Sequence, residues 1–504
     1  MKRSLLVFAT ATALVALPSS TAWAGALTVG PVVQVSPTGS PFPGADADGP
    51  PCNGVPGTAQ TGQNFPGTEV EPWIAVNPAN TANLIGGWQQ DRWSNGGANG
   101  LFYAYSTDAG ASWRLSATQP PFSRCAGGTA ANGGDYERAS DPWVTISPDG
   151  TAYAMSLSFD VALSNNNAML ISRSTDGGRT WGPATTLRRD TSFNTLNDKN
   201  SATADRLDSR FAYAVWDRLE FPNDAAAPTA GERAVGFRGP TWFARTTNGG
   251  ASWEPARMIY DPGEVNQTLG NQIVQTAAGD LVNGFNLIFN FKNSHKVRGQ
   301  NVAVLRSTDR GATWDTTATI IDRLLTAGVR DPSTGAAVRT GDIIPEIAAD
   351  PRNETVYVVW QDARSTGGAR DQIALARSAD GGRTWTTLSH AINKVPGTQA
   401  FNPAVSVLPD GTLGVLYQDF RNDDAAAPLV TSTWLLHSHD GGQTFDEVKV
   451  GADFDMTGAP NAGGLFVGDY MGLGAAPGTF HPFFGRATGT PDAPASDIYA
   501  ARAD

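Results

Sequence analysis

The sequence predicts an all-β chain built of repeated four-stranded units, on three observations. Its 504 residues include Gly 56 and Pro 33 with only 17% charged residues, a turn-rich composition. Short apolar runs such as WIAV, AYAVW, VYVVW and LGVLY are each bounded by Gly, Pro, Asn or Asp and read as strands, and long helical patterns are absent after the N-terminus. One eight-residue stretch occurs six times: STDAGASW (Ser106–Trp113), STDGGRTW (Ser174–Trp181), TTNGGASW (Thr246–Trp253), STDRGATW (Ser307–Trp314), SADGGRTW (Ser378–Trp385) and SHDGGQTF (Ser438–Phe445).

The N-terminus reads as a secretory signal peptide over residues 1–24. Lys2 and Arg3 precede an apolar run from Leu5 to Leu17, and Ala22-Trp23-Ala24 is a small-x-small cleavage site. The run is too short for a membrane span, and no later segment is long and apolar enough. The expectation is an exported, soluble, monomeric protein whose single domain covers residues 25–504. Loss of Lys2 and Arg3 takes the formal charge from −12 to −14, which weighs against nucleic acid or an anionic membrane as partner. It does not exclude a small anionic substrate, because a local arginine cluster can outvote the net charge.

The six stretches start at steps of 68, 72, 61, 71 and 60 residues. A period of that size marks a repeated supersecondary unit. The order within one period is constant. In the fifth it is a strand at EIAAD (Glu346–Asp350), a second at VYVVW (Val356–Trp360), a third at QIALAR (Gln372–Arg377), the eight-residue box, and a fourth strand after Trp385. Four antiparallel strands repeated radially make a β-propeller. The last residues, DIYAARAD (Asp497–Asp504), match a third strand and stop where a box is due. Asp469–Arg486 provides the two strands before it, so the last blade lacks its fourth. Ala26–Pro37 resembles the strand after the second box and fills that place. Residues 25–504 divided by seven give about 69 per blade, in line with the observed steps. The reading is seven blades closed by an N-terminal strand, with six as the alternative.

The box has a structural job. Its Asp accepts backbone N–H bonds inside its own turn, its glycines supply positive φ, and its Ser/Thr hydroxyls close further local bonds. Asn248 replaces the Asp in the third box and Phe445 the Trp in the sixth. Turn-stapling survives both changes, whereas metal ligation does not. Connections between first and second strands are short (NPAN, SPDG, DPRNE, LPDG) and share a face with the boxes. Those on the opposite face are long, as in Arg114–Ser140, Arg218–Gly239, Pro255–Asn271 and Asp322–Ile344, and function concentrates on such loops. Cys52 and Cys125 fall in neighbouring loops there, so a Cys52–Cys125 disulfide is expected in an exported protein.

A second repeat ends the second strands: GWQQDRW (Gly87–Trp93), VWDR (Val215–Arg218), VWQDAR (Val359–Arg364) and LYQDFR (Leu416–Arg421). It puts Arg92, Arg218, Arg364 and Arg421 on the loop-rich face. One reading has Asp and Arg of each motif pair with each other, and this is the expectation for Arg218. The other has several guanidiniums hold a carboxylated ligand by bidentate contacts.

Six Ser-x-Asp-x-Gly-x-Thr-Trp copies resemble the Asp-boxes of the sialidase (neuraminidase) superfamily over nearly the whole mature chain. The resemblance implies a glycoside hydrolase acting on sialic acid or another carboxylated sugar. It aligns Glu346 (in IPEIAAD), Arg364, Arg421 and Tyr470 (in GDYMGL) with the family's ordered Glu, Arg, Arg and Tyr. Tyr470 is then the nucleophile, Glu346 its base, and Arg364 and Arg421 hold the substrate carboxylate. A tyrosine nucleophile avoids the repulsion between an anionic nucleophile and a carboxylated anomeric centre. Two features depart from the family. Its first Arg-Ile-Pro is here Val70-Glu71-Pro72, leaving Arg92 or Arg138 as replacement. The loop WSNGGANG carries no acid, leaving Asp91 as the nearest candidate, with Asp141 and Asp160 as others. A lyase for uronate glycans and a non-catalytic glycan- or protein-binding propeller are the competing functions. The histidines show no metal-ligand spacing and no cofactor is expected; a calcium reading of the acidic loop Asp46–Gly49 has no support beyond its composition.

Overall fold

The computed structural model describes residues 27–42, 61–161, 166–222, 236–294, 296–424 and 428–504. The signal peptide, Asp46–Gly49 and Cys52 lie outside the described residues, and with Cys52 the expected disulfide; Cys125 is partly buried beside Phe42, Trp88 and Phe102.

The chain is all-β, and most of its strands fall in chain order into antiparallel units of four; Val329–Arg330, Ala337–Arg339 and Leu465–Phe466 form a separate small sheet, and Phe454–Asp455 pairs with Val430–Ser438. In chain order the innermost strands are Glu69–Val76, Arg138–Ile146, Thr195–Ala204, Gln267–Gln275, Glu346–Ala349, Ala400–Val407 and Gly472–Ala476. Each touches its successor, and Gly472–Ala476 touches Glu69–Val76. In the seventh unit the strands Thr479–Ala487 and Ser496–Ala500 follow, and the outermost place belongs to Val33–Gln34. Val33 pairs with Ala500 and Gln34 with Tyr499, antiparallel, and main-chain bonds continue from Thr28 to Asp504 (2.8 Å) and from Gly30 to Arg502 (2.8 Å). The N-terminal segment thus lies beside the last strand of the chain.

All six boxes are turn staples. In the first, Ser112 donates its N–H and its hydroxyl to Asp108 (2.9 and 2.6 Å), and the Gly110 N–H donates to Ser106 Oγ (2.9 Å). The bonds recur at Asp176, Asp309, Asp380 and Asp440. Asn248 keeps the acceptor role through its Oδ1 (3.0 Å from the Ser252 N–H) and turns its amide N–H onto Ser252 Oγ (2.8 Å). The second strands of the first, third and fifth units bury Trp88, Trp216 and Trp360 completely. Their indole N–H groups donate to Gln90, Asn197 and Asp362 (2.9–3.0 Å), so truncating any of the three costs about 3–5 kcal/mol.

One irregularity repeats on the innermost strands and positions the site. Pairing with the second strand slips between Val70 and Trp73, Ser140 and Trp143, Asp198 and Ser201, Leu269 and Gln272, and Phe401 and Ala404. Each slip holds one residue in the left-handed region: Glu71 (φ 56°), Asp141 (55°), Lys199 (46°), Gly270 (70°) and Asn402 (50°). A bulge re-aims a side chain at a cost of about 1–3 kcal/mol when the residue has a Cβ. Four of the five are not glycine, and three of those four carry ionisable side chains.

Candidate active site

Those three side chains meet. Lys199 Nζ lies 3.6 Å from Glu71 Oε1, 3.8 Å from Asp141 Oδ1 and 2.8 Å from Asp469 Oδ2. Arg339 grips the same Asp469 with Nε (3.1 Å) and Nη2 (2.8 Å). Its strand Ala337–Arg339 pairs in parallel with Leu465–Phe466, two segments of the long connections that precede the fifth and seventh innermost strands. The Arg339 and Arg92 guanidiniums lie 4.5 and 4.9 Å from the Phe466 ring centroid. Arg92 Nη1 donates to Gln89 Oε1 (2.7 Å), and Gln89 donates to both Glu71 and Ser140. The register Glu69↔Gln90 and Val70↔Gln89 places this centre at the strand ends away from the boxes, on the face with the long connections.

Burial and neighbours drive the carboxyls apart. Burial pushes Glu71 up to about 8 against the pull of Lys199. Burial also raises Asp198 to about 7 and Glu346 to about 8. Asp469 is equally buried, but Arg339 and Lys199 overcome that burial and hold it well below the usual carboxylate range. Burial alone disfavours a charged Lys199; Asp141, Asp469 and Glu71 reverse the direction and keep it cationic. The centre therefore combines a carboxyl pushed toward its neutral acid, a carboxylate held ionised and an ammonium within ion-pair distance of both.

Of the residues expected from sequence, the structure brings Tyr470, Arg92 and Asp141 here, Asp141 being 3.8 Å from Lys199 Nζ. Tyr470 is 4% exposed, with its ring edge-on to Trp73 and Trp143, which stack at 3.6 Å. Its hydroxyl donates to the Pro142 carbonyl (3.3 Å), and burial followed by Glu71 holds it protonated. Glu346 accepts from Gln272 (2.9 Å) and no described bond joins it to Tyr470. Asp91 ties the N-terminal segment to the first unit, accepting from Ser40 Oγ (2.5 Å), the Gly67 N–H (2.9 Å) and Asn99 (3.1 Å). Arg364 binds Asp362 and Asp322 (2.7 and 2.6 Å). Arg421 binds Asp419 and Glu447 (2.6 and 2.5 Å) and lies 3.8 Å from the Trp434 ring centroid. These two arginines share no partner with Tyr470 or with each other.

Pairing inside the Asp–Arg motif thus holds for Arg364 and Arg421. It fails for Arg218, where it was expected: Arg218 binds Asp190 (2.9 Å) and Glu220, while Asp217 accepts from the Gly270 N–H (2.9 Å) and Asn271. Arg138 turns to Asn95 (2.9 Å) and the Gly96 and Thr61 carbonyls, stacked on Trp93, and Asp160 accepts from the Glu137 N–H (3.0 Å). Sequence reasoning passed over Glu71, Lys199, Arg339 and Asp469. The signal for the first two was the repeated bulge, Glu71-Pro72-Trp73 and Asp141-Pro142-Trp143, aligned with Lys199 in the third unit.

Fold and boxes together define an all-β chain of repeated, box-stapled units. Residues 240–468 match the family described as BNR repeat-like domain. No curated protein sequence matches the chain. Among solved structures it is similar to the Hadza microbial sialidase Hz136, at 14% identity and a TM-score of 0.47, over 84% of this chain and 74% of that one. It is also similar to the Penicillium chrysogenum alpha-L-arabinanase (15%, TM-score 0.43, 71% and 94%) and to an ulvan lyase (12%, TM-score 0.42, 76% and 79%). The activities of those proteins are their own. Among the described residues no helix is long and apolar enough to cross a membrane, and no group of three or more His, Cys, Asp or Glu is arranged to hold a metal ion.

Proposed function

We propose that this chain is an exported, glycan-cleaving enzyme of the glycoside hydrolase type, a seven-bladed propeller closed by its N-terminal strand, working at the Glu71–Lys199–Asp469 centre. One observation carries the reading. Two buried carboxyls that share Lys199 are driven to opposite protonation states, with Glu71 up to about 8 and Asp469 far down. Environments that push two carboxyls apart assign an acid and an anion, the pair that glycosidic bond cleavage uses. Glu71 gives its proton to the leaving oxygen. Asp469 remains ionised and stabilises the positive charge that grows at the anomeric carbon. Lys199 and Gln89 fix Glu71, and Tyr470 packs edge-on against the stacked Trp73–Trp143 pair.

The preferred substrate class is a glycan with a carboxylated sugar. Arg92 carries this preference: among the described residues its guanidinium forms no ion pair and its Nε has no hydrogen-bond partner, whereas Arg339 and Lys199 are held by Asp469. Arg364 and Arg421 are already neutralised by their own carboxylates and are not part of this reading. The test is a screen of products released from sialylated, uronate-containing and neutral glycans. Reducing sugars without ultraviolet absorbance support the hydrolase. Unsaturated, absorbing products move the assignment to a lyase, and binding without turnover moves it to a binding module.

A further inference from the structure

Hydrolysis needs, besides an acid and an anion, a group that takes a proton from water. Glu71 enters the reaction protonated and cannot accept one. Asp469 is gripped by Lys199 and Arg339 and held far below the usual carboxylate range, which makes it a poor base. Two further carboxyls meet at the centre. The Lys199 N–H, turned inward by the bulge, points at both Asp141 Oδ2 (3.0 Å) and Asp198 Oδ1 (3.0 Å), so carboxyls of the second and third units stand side by side.

Their remaining oxygens differ. Asp141 is 2% exposed, and its Oδ1 accepts from Ser140 Oγ (2.9 Å). Asp217, opposite Asp198 in the register, is fully buried, with its oxygens taken by the Gly270 N–H (2.9 Å) and by Asn271. Asp198 is partly exposed, and among the described residues its Oδ2 has neither a hydrogen bond nor an ion pair. It is the carboxylate oxygen of the centre left for water.

We propose that Asp198 is a further catalytic residue, the base that takes a proton from the attacking water. This rests on the acid–anion reading of the centre given above. The water oxygen bonds to the anomeric carbon from the side opposite the leaving group as the glycosidic C–O bond breaks. The water proton goes to Asp198 Oδ2 and the Glu71 proton to the leaving oxygen; solvent exchange then restores both carboxyls, and the net change is addition of one water. Direct attack inverts the anomeric configuration. Asp198 is faced by Asp141 from the second unit, Asp217 from its own second strand, Asp469 from the connection to the seventh unit, and Lys199 beside it. Burial, followed by Asp141, raises it to about 7, a strength suited to accepting a proton near neutral pH.

The experiment gives the full chain three probes, sialyllactose, trigalacturonate and cellobiose, and follows the first-formed anomer by proton NMR. The wild type should release the inverted anomer, with kcat rising as pH rises through about 7. Asp198→Asn keeps an acceptor for the Lys199 N–H and should melt as the wild type does. Its kcat should fall about 10²- to 10⁴-fold with little change in KM, and the acid limb should vanish. Azide added to Asp198→Ala should restore turnover about tenfold or more and give a glycosyl azide of inverted configuration, which a merely structural residue would not do. A retained anomer, wild-type kcat in Asp198→Asn, or no rescue by azide overturns the role of Asp198 and leaves the proposed function standing. The wild-type anomer needs no variant, so the test holds if a variant misfolds. Cleavage of none of the probes overturns both readings.

Discussion

Lys199 and Asp469 are 270 residues apart in the chain and meet at 2.8 Å. The contact joins the third unit to the connection that enters the seventh, and it holds Asp469 ionised in surroundings that otherwise favour the neutral acid. Breaking such a pair leaves a buried charge without its counter-ion. Lys199→Met is therefore expected to lower stability by about 3–5 kcal/mol and to abolish turnover. Denaturant unfolding and glycan-product assays check the two effects; a variant with wild-type stability would show that the pair contributes nothing net.

Glu71 ties stability to pH. Its ordinary value is 4.5 and its folded value about 8. Between these limits the folded protein keeps a proton that the unfolded chain has released, so stability is fully present below 4.5 and is lost as pH rises through 8. The slope has a ceiling of about 1.4 kcal/mol per pH unit. Glu71→Gln should flatten the dependence over this window, as read from denaturant midpoints at stepped pH.

The arginines of the Asp–Arg motifs should behave as structural residues. Arg421 is 10% exposed and held by Asp419 and Glu447 over Trp434, so Arg421→Ala is expected to cost about 3–5 kcal/mol. The affinity for acidic glycans, measured on the folded fraction, should not change. Selective loss of acidic ligands with full stability would return Arg421 to the binding site.

Removing residues 27–37 should destabilise the whole domain. The segment covers the edge strand Ser496–Ala500, and without it a row of unpaired main-chain groups faces water. A lower melting temperature and new self-association are the expected results. An unchanged transition would mean that the N-terminal strand does not close the fold.

What was legible in the sequence followed its range of interaction. The boxes could be read residue by residue because every bond they make lies within a few positions, as between Asp108 and Ser112, and the survival of Asn248 and Phe445 followed from the same local chemistry. The place of Val33–Gln34 was legible because the last repeat counts one strand short. The site was not. Arg364 and Arg421 sit at the positions that suggested a ligand, but the aspartates two residues before them claim their guanidiniums. Glu71, Lys199 and Asp469 carry no common motif; a bulge recurring at separate points of the chain aims the first two inward, and only the arrangement of the units brings Asp469 to them.

The most direct test of the central claim is the pH–rate profile of glycan cleavage by the wild type and by Glu71→Gln. With Glu71 as the general acid, wild-type kcat should fall as pH rises past about 8, and Glu71→Gln should lose about 10²- to 10⁴-fold in kcat with little change in KM. A Glu71→Gln enzyme that keeps wild-type kcat and the same alkaline limb would contradict the account.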